Sequence, residues 1–204
     1  MLPLTDWPLT ARRAVLGVFT DIDDTLTTDG AITPEALQAL ADLSAAGLFV
    51  IPITGRSMGW CEPLMAGVGT APWPVDAMVA ENGGVAIVPK GVCNLSQISL
   101  QPLPGMRKPL SKKYKAIYPW QADAHAENTT RMAQVAAQVL AEVPGVALTC
   151  DSAGCETDLA FDHAELAHIA RFASQLTHFP TDITESARGA GFAQVARAIL
   201  EAKI

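Results

Sequence analysis

Asp21 and Asp23 stand two residues apart in the run Asp21-Ile22-Asp23-Asp24-Thr25-Leu26-Thr27, directly after the apolar stretch Ala14-Val15-Leu16-Gly17-Val18-Phe19. Side chains alternate along a strand, so both acids emerge on one side and can address a single substrate. Two carboxylates held together are costly unless a cation or a proton compensates them, and that cost points to chemistry. The plainer reading is an acidic strand-to-loop turn in which Asp24 and Thr25 bond local backbone. A second constellation, Thr54-Gly55-Arg56, follows the apolar run Leu48-Phe49-Val50-Ile51-Pro52-Ile53. A threonine hydroxyl can donate to a phosphate oxygen without adding charge, and an arginine offers a bidentate fork. Thr54 can also be read as the cap of a helix beginning near Ser57.

These residues need elements that bring them together. The first apolar run has the composition of a parallel strand covered on both faces, and in open α/β sheets ligands gather beyond the carboxyl ends of such strands. Between the two runs Thr33 can cap a helix and Pro34 fits its first position, with Ala36, Leu37, Leu40 and Leu43 as the apolar stripe and Gly47 as the stop. Strand, helix, strand in that order is a right-handed βαβ unit with both strand tips on one edge, which places Asp21, Asp23 and Thr54 close together. Residues 14–81 read βαβαβ, with the third strand at 77–80, a tight turn at Asn82-Gly83 and a further strand at 85–88. Helical spacing recurs at 128–143 through Met132, Val135, Val139 and Leu140. Strands are expected at 146–150 and 159–161, and helices at 164–176 and 192–202. Residues 89–121 are rich in Pro, Gly and Lys. There Lys108, Lys112, Lys113 and Lys115 alternate with Tyr114, Tyr118 and Trp120. This is either a solvated surface or an aromatic platform for an anionic phosphosugar.

On these motifs the chain resembles the haloacid dehalogenase superfamily of phosphotransferases. Asp21-x-Asp23-x-Thr25 is similar to its first motif and Thr54-Gly55-Arg56 to its second. Glu81-Asn82-Gly83-Gly84 resembles the exit into a large cap inserted after the third strand. Leu140-Ala141-Glu142-Val143-Pro144-Gly145 and Glu156-Thr157-Asp158-Leu159-Ala160-Phe161-Asp162 resemble cap segments of the branch containing mannosyl-phosphoglycerate and sucrose-phosphate phosphatases, and Gly189-Ala190-Gly191-Phe192 resembles its ending. The resemblance implies an α/β fold, a Rossmann-like parallel-sheet core (residues 1–82 and 162–204) with an inserted α+β cap (residues 83–161). It implies that Asp21 attacks phosphorus to form an aspartyl-phosphate, and that Asp23 protonates the leaving oxygen and then activates water. Thr54, Gly55 and Arg56 would bind the phosphate. Mg2+ would be held by Asp21 and by Asp23 through its backbone carbonyl. An acid two positions after the nucleophile argues against dehalogenation, since a phosphate ester needs a proton on its leaving group and a halide does not. The expected substrate is a small phosphorylated sugar or sugar acid, with the cap excluding water and reading the leaving group. Cap strands near 152–157 would reach over the acids, and Cys155 stands where many relatives carry Arg.

The chain also departs from that family. A third-motif Lys or Arg and a Gly-Asp-x-x-x-Asp acidic loop are not found after the cap, and the sequence runs from 164–170 straight into the terminal segment near Phe172. At least one βαβ unit, roughly 30 residues, is missing, which predicts an exposed sheet edge. A catalytically silent, deletion-derived phosphate-binding module and a phosphosugar mutase therefore stand beside the phosphatase. The 204 residues, 50% of them hydrophobic, suffice for a core, and the net charge of −7 disfavours nucleic acid or an anionic membrane as partner. No apolar run reaches the roughly 20 residues of a membrane span. Arg12-Arg13 before a short apolar stretch is a poor export signal, so the expected compartment is the cytoplasm. Cys61, Cys93, Cys150 and Cys155 contain no CxxC pair and read as scattered reduced thiols. Cys150, Cys155, His163 and His168 resemble a zinc finger only loosely, because 158–161 reads as a strand.

Overall fold

The computed structural model describes residues 2–68, 71–90, 114–119, 122–150, 152–163 and 182–203. In chain order the strands are β1 (Leu2–Pro3), β2 (Gly17–Asp21), β3 (Thr27–Thr28), β4 (Ala31–Ile32), β5 (Phe49–Ile53), β6 (Met78–Ala80), β7 (Val85–Pro89), β8 (Tyr114–Ile117), β9 (Val146–Leu148), β10 (Phe161–His163) and β11 (Asp182–Ile183). The helices are α1 (Leu9–Ala14), α2 (Pro34–Ala45), α3 (Met58–Ala66), α4 (Ala122–Glu142) and α5 (Arg188–Glu201).

The βαβαβ unit forms as its signals dictate. Thr33 caps α2 by accepting from the Ala36 N–H at 3.2 Å, Pro34 opens the helix, and Ala36, Ala39, Leu40 and Leu43 are its buried stripe. Gly47, with φ +78°, takes the left-handed turn that releases the chain into β5. Ser57, not Thr54, caps α3, accepting from the Trp60 N–H at 3.3 Å. The first strand begins later than its apolar run, because Leu9–Ala14 winds into α1.

The central sheet has the order β2-β5-β6-β7-β8. It is mixed rather than parallel: β2, β5 and β6 run parallel, and β7 and β8 return antiparallel. A domain boundary at residue 82 therefore divides one hydrogen-bonded sheet, with β7 and β8 continuing it beyond β6. Among the described residues β2 ends the sheet.

The expectation that β2 is covered on both faces is not met. Val18, Thr20, Val50, Pro52, Met78, Ala80 and Ile87 lie on the face that packs against α2 and α3, with α5 stacked on α2. Gly17, Phe19 and Asp21, opposite Phe49, Ile51 and Ile53, lie on the other face. There Phe19 is 68% exposed, Phe49 61% and Ile53 37%. Both βαβ crossovers step the same way across the sheet and are right-handed, so both helices land on one side.

The later elements correct the sequence reading in detail. α4 starts six residues ahead of the expected 128. The second cap strand is β10 at Phe161–His163, so 158–160 is not strand, and 152–157 is a 3-10 turn followed by a bend. α5 begins at Arg188, four residues before the expected 192. The expected helix at 164–176, the cap exit, Cys93, His168, Trp120, Lys108, Lys112 and Lys113 lie outside the described residues. Among the described residues no helix is long and apolar enough to cross a membrane.

Candidate active site

The carboxyl ends of β2, β5 and β6 lie on one edge of the sheet, and each carries a polar residue. Asp21 is the last residue of β2, and its side chain is exposed. After it the chain turns sharply about the Ile22 carbonyl, which accepts from the N–H groups of Thr25, Leu26 and Thr27 (3.3, 3.0 and 3.1 Å) and from Thr27 Oγ1 (3.1 Å). Ile22 is fully buried, so the turn is anchored at its middle while Asp21 and Asp23 flank it and face outwards. Asp24 takes the left-handed conformation (φ +54°), with its N–H on Thr27 Oγ1 at 3.2 Å. The local backbone bonding of the plainer reading is thus present, and it leaves the Asp21 and Asp23 carboxylates outside it.

Asp23 meets Arg56 in a two-point contact: Nε donates to Oδ2 at 3.0 Å and Nη2 to Oδ1 at 2.9 Å. Both side chains are a little under half exposed. The guanidinium also lies 5.4 Å from the Trp60 ring centroid, one turn into α3. Among the described residues no hydrogen bond or ion pair engages the Asp21 carboxylate. Thr54 is buried. Its hydroxyl accepts from the Arg56 N–H at 3.1 Å, and its backbone is fixed by Thr54 N–H to the Val79 carbonyl (2.9 Å) and Asn82 N–H to the Thr54 carbonyl (3.2 Å). Gly55 is pressed close by Asn82, whose Oδ1 would lie 3.0 Å from an added Cβ.

Glu81, which sequence reasoning treated only as part of a cap exit, is the most heavily bonded acid of this edge. It is 2% exposed and accepts from the N–H groups of Met58 (3.0 Å), Glu156 (3.1 and 3.0 Å) and Thr157 (2.6 Å), and from Thr157 Oγ1 (2.6 Å). It ties the start of α3 to the 156–157 segment. Beside it Asn82 Nδ2 donates to Asp158 Oδ2 at 2.7 Å, and Gly59 faces Gly154 with no side chain between them. The signal in the sequence was an acid directly after a buried strand. Its partners, however, are dispersed between positions 58 and 157.

Burial sets the state of two neighbours. Burial, with the nearby Glu81 and Asp23 carboxylates, pushes the Cys61 thiol up to about 12. Burial and a hydrogen bond to Glu156 raise the Tyr118 phenol far above its usual range. The aromatic platform is not formed by the described tyrosines: Tyr118 is buried against Glu156 and His125, and Tyr114 donates to the Met65 carbonyl at 2.7 Å. Among the described residues no three His, Cys, Asp or Glu side chains cluster as metal ligands. Cys61 and Cys150 are free thiols, the first buried and the second exposed.

Known proteins can now be set beside this geometry. The family model of haloacid dehalogenase-like hydrolases matches residues 18–115, just under half of the chain and including Asp21, Asp23, Thr54–Arg56 and Glu81. No curated protein matches. Among solved structures, a Thermoplasma acidophilum protein is 13% identical, with TM-score 0.45, covering 79% of this chain and 54% of its own. A Bacteroides thetaiotaomicron phosphatase described as belonging to the haloalkanoate enzyme superfamily is 20% identical, with TM-score 0.32, covering 40% of this chain and 28% of its own. A sugar phosphatase described as subclass IIB of the same superfamily is 27% identical, with TM-score 0.28, covering 34% of this chain and 27% of its own. The chain thus spans about half or less of the solved chains it resembles. Over residues 18–115 the chain is similar to the haloacid dehalogenase-like hydrolases.

Proposed function

We propose that the protein is a phosphatase acting on a small phosphorylated sugar or sugar acid in the cytoplasm, with Asp21 as nucleophile and Asp23 as acid and base. The observation that carries this reading is the Asp21 carboxylate, exposed and unengaged at the tip of β2, beside an Asp23 already oriented by Arg56. A nucleophile has to be free to approach phosphorus, whereas a proton donor benefits from a fixed position. Asp21 would attack phosphorus as the ester bond breaks, Asp23 would deliver a proton to the leaving oxygen, and the same carboxylate would then take a proton from the water that releases phosphate. Arg56 would turn its fork from Asp23 to the phosphate oxygens, which offer it equivalent bidentate geometry. The Thr54-Gly55-Arg56 turn would supply the remaining phosphate contacts.

The donor set at this edge fits magnesium, which commonly uses one or two carboxylates plus substrate phosphate and keeps water in the other positions. Asp21 and the Asp23 backbone carbonyl would hold it. When bound it supplies positive charge against the phosphate oxygens. The part of 83–161 that follows β8 would act as cap, and the bonds of Glu81 to Glu156 and Thr157 support that role.

Release of phosphate from p-nitrophenyl phosphate in the presence of Mg2+, abolished by Asp21→Asn, tests the proposal. One observation favours a second reading, a phosphate-binding module without turnover: among the described residues no three acids cluster as metal ligands, and Asp23 is paired. Absence of turnover with every divalent cation, together with inorganic phosphate binding that weakens in Arg56→Ala, would establish that module instead.

A further inference from the structure

α5 grips the chain on both sides of β2, the strand that carries Asp21 at its tip. At the far end Lys203 Nζ donates to the carbonyls of Arg13 and Val15 (2.7 Å each), Arg13 Nε to the Ala202 carbonyl (3.1 Å) and Arg12 Nη1 to the Ala198 carbonyl (3.2 Å). These contacts lie just ahead of the first residue of β2. At the near end α5 starts hard against the turn that follows Asp21. A Cβ on Gly189 would stand 2.4 Å from Thr33 Oγ1 and 3.0 Å from the Leu26 carbonyl. Beside it Arg188 reaches two acids: Nε lies 3.4 Å from Asp24 Oδ1, and Nη1 donates to Asp29 Oδ1 at 3.4 Å.

The backbone at this contact is strained. Arg188, Asp24 and Asp29 all have positive φ, at +54°, +54° and +52°. Aspartate tolerates the left-handed region better than most residues, whereas arginine does not and glycine would adopt it freely. The local chain conformation gains nothing from an arginine at 188. What the side chain supplies is the cation between Asp24 and Asp29. We infer that Arg188 is a positioning residue for the reaction proposed above, on whose assignment of Asp21 and Asp23 this inference rests. Asp24 follows Asp23 directly, and Asp29 sits in the turn between β3 and β4. By holding both, Arg188 closes that hairpin onto the active turn and ties the turn to α5. Arg56 fixes Asp23 from the β5 side through its own two-point contact. Two guanidinium groups thus hold the turn at adjacent residues, while Asp21 stays free at the strand tip. A misplacement of about 1 Å costs rate on the order of a hundredfold, so a modest loosening of this turn is visible in turnover.

Arg188→Gly removes the cation and relieves the backbone, which separates positioning from stability. With p-nitrophenyl phosphate kcat should fall about fivefold, the scale of two exposed ion pairs. KM should change less than about twofold, because exposed charges are screened beyond their first contact, and the urea midpoint should stay or rise. Arg188→Lys, a point charge in place of a fork, should recover part of kcat. Asp29→Asn should lower kcat in the same direction and serves should the glycine variant fail to fold. Hydrogen exchange read by mass spectrometry over residues 22–28 needs no turnover. There the Thr25, Leu26 and Thr27 N–H groups on the Ile22 carbonyl should exchange about fivefold faster in Arg188→Gly, with α2 unchanged. Unchanged exchange, or an unchanged kcat in an active chain, overturns the inference. So does a loss of kcat that tracks a lower urea midpoint, because the role is then structural only. If the native chain releases no phosphate, it is the phosphatase reading that fails, and the exchange result alone decides whether Arg188 holds the turn.

Discussion

Asp21 and Glu81 are acids at the ends of two parallel strands on the same edge of one sheet, and their surroundings are opposite. Glu81 is sealed under the 156–157 segment with every lone-pair direction served by three backbone N–H groups and a hydroxyl. Asp21, at the exposed tip of β2, has no such partners. A carboxylate fully bonded to main chain is a joint. Displacing any of its donors leaves a buried polar group unpaired, at a cost of about 1–3 kcal/mol each. A carboxylate without partners contributes little to stability and is free to react. On the proposed function the reactive acid is the exposed one, which burial alone would not single out.

The sharpest way to break this contrast is to neutralise each acid in turn. Asp21→Asn is expected to lower turnover by about 10³-fold or more while leaving the urea midpoint unchanged. Glu81→Ala should do the reverse, lowering unfolding free energy by about 3 kcal/mol or more, since the Met58, Glu156 and Thr157 N–H groups lose their acceptor. Chemical denaturation beside the p-nitrophenyl phosphate assay reads both. If Asp21→Asn destabilises and Glu81→Ala does not, the roles assigned here are exchanged.

A smaller effect sharpens the joint. Gly84 has no room for a side chain, because an added Cβ would overlap Thr157 and approach the Glu81 carbonyl to 3.1 Å. Gly84→Ala should push Thr157 off Glu81 and cost about 1–3 kcal/mol, as overpacking does, with Thr157→Ala in the same background recovering part of the loss. The smallest effect is electrostatic. Cys61 titrates near 12 when folded, against 9.0 for an unperturbed thiol, mainly because it is buried. The unfolded chain therefore releases this proton first. The stability Cys61 contributes is complete below pH 9 and is lost as pH rises towards 12. Unfolding free energy measured at pH 8 and pH 10.5 should fall less in Cys61→Ala than in the native chain, and a thiol reagent at pH 8 should label exposed Cys150 while sparing Cys61.

What the sequence disclosed follows how local each signal is. α2 was legible because Thr33, Pro34, the apolar stripe and Gly47 all lie within one helix, and the approach of Thr54 to the Asp21 turn followed from the handedness of a single crossover. Glu81 was not legible as a joint, since its partners come from Met58 and Glu156–Thr157, which only the tertiary fold assembles. The uncovered face was hidden for another reason. Phe19, Phe49 and Ile53 read the same in a strand covered on both sides as in one covered on a single side, because composition records no neighbours. β10 was placed two residues early because Leu159 and Ala160 continue its apolar pattern without joining β9.

Glu81, Asn82 and Gly83 adopt positive φ in succession, at +53°, +54° and +95°. For the first two this backbone is a strained choice, of order 1–3 kcal/mol for a residue such as glutamate, and Asn82 tolerates it better than most. The hairpin is consequently a cocked spring whose catch is the Glu81 carboxylate. Glu81→Ala would therefore take away the bonds to Met58, Glu156 and Thr157 at the very residue where the left-handed bend begins.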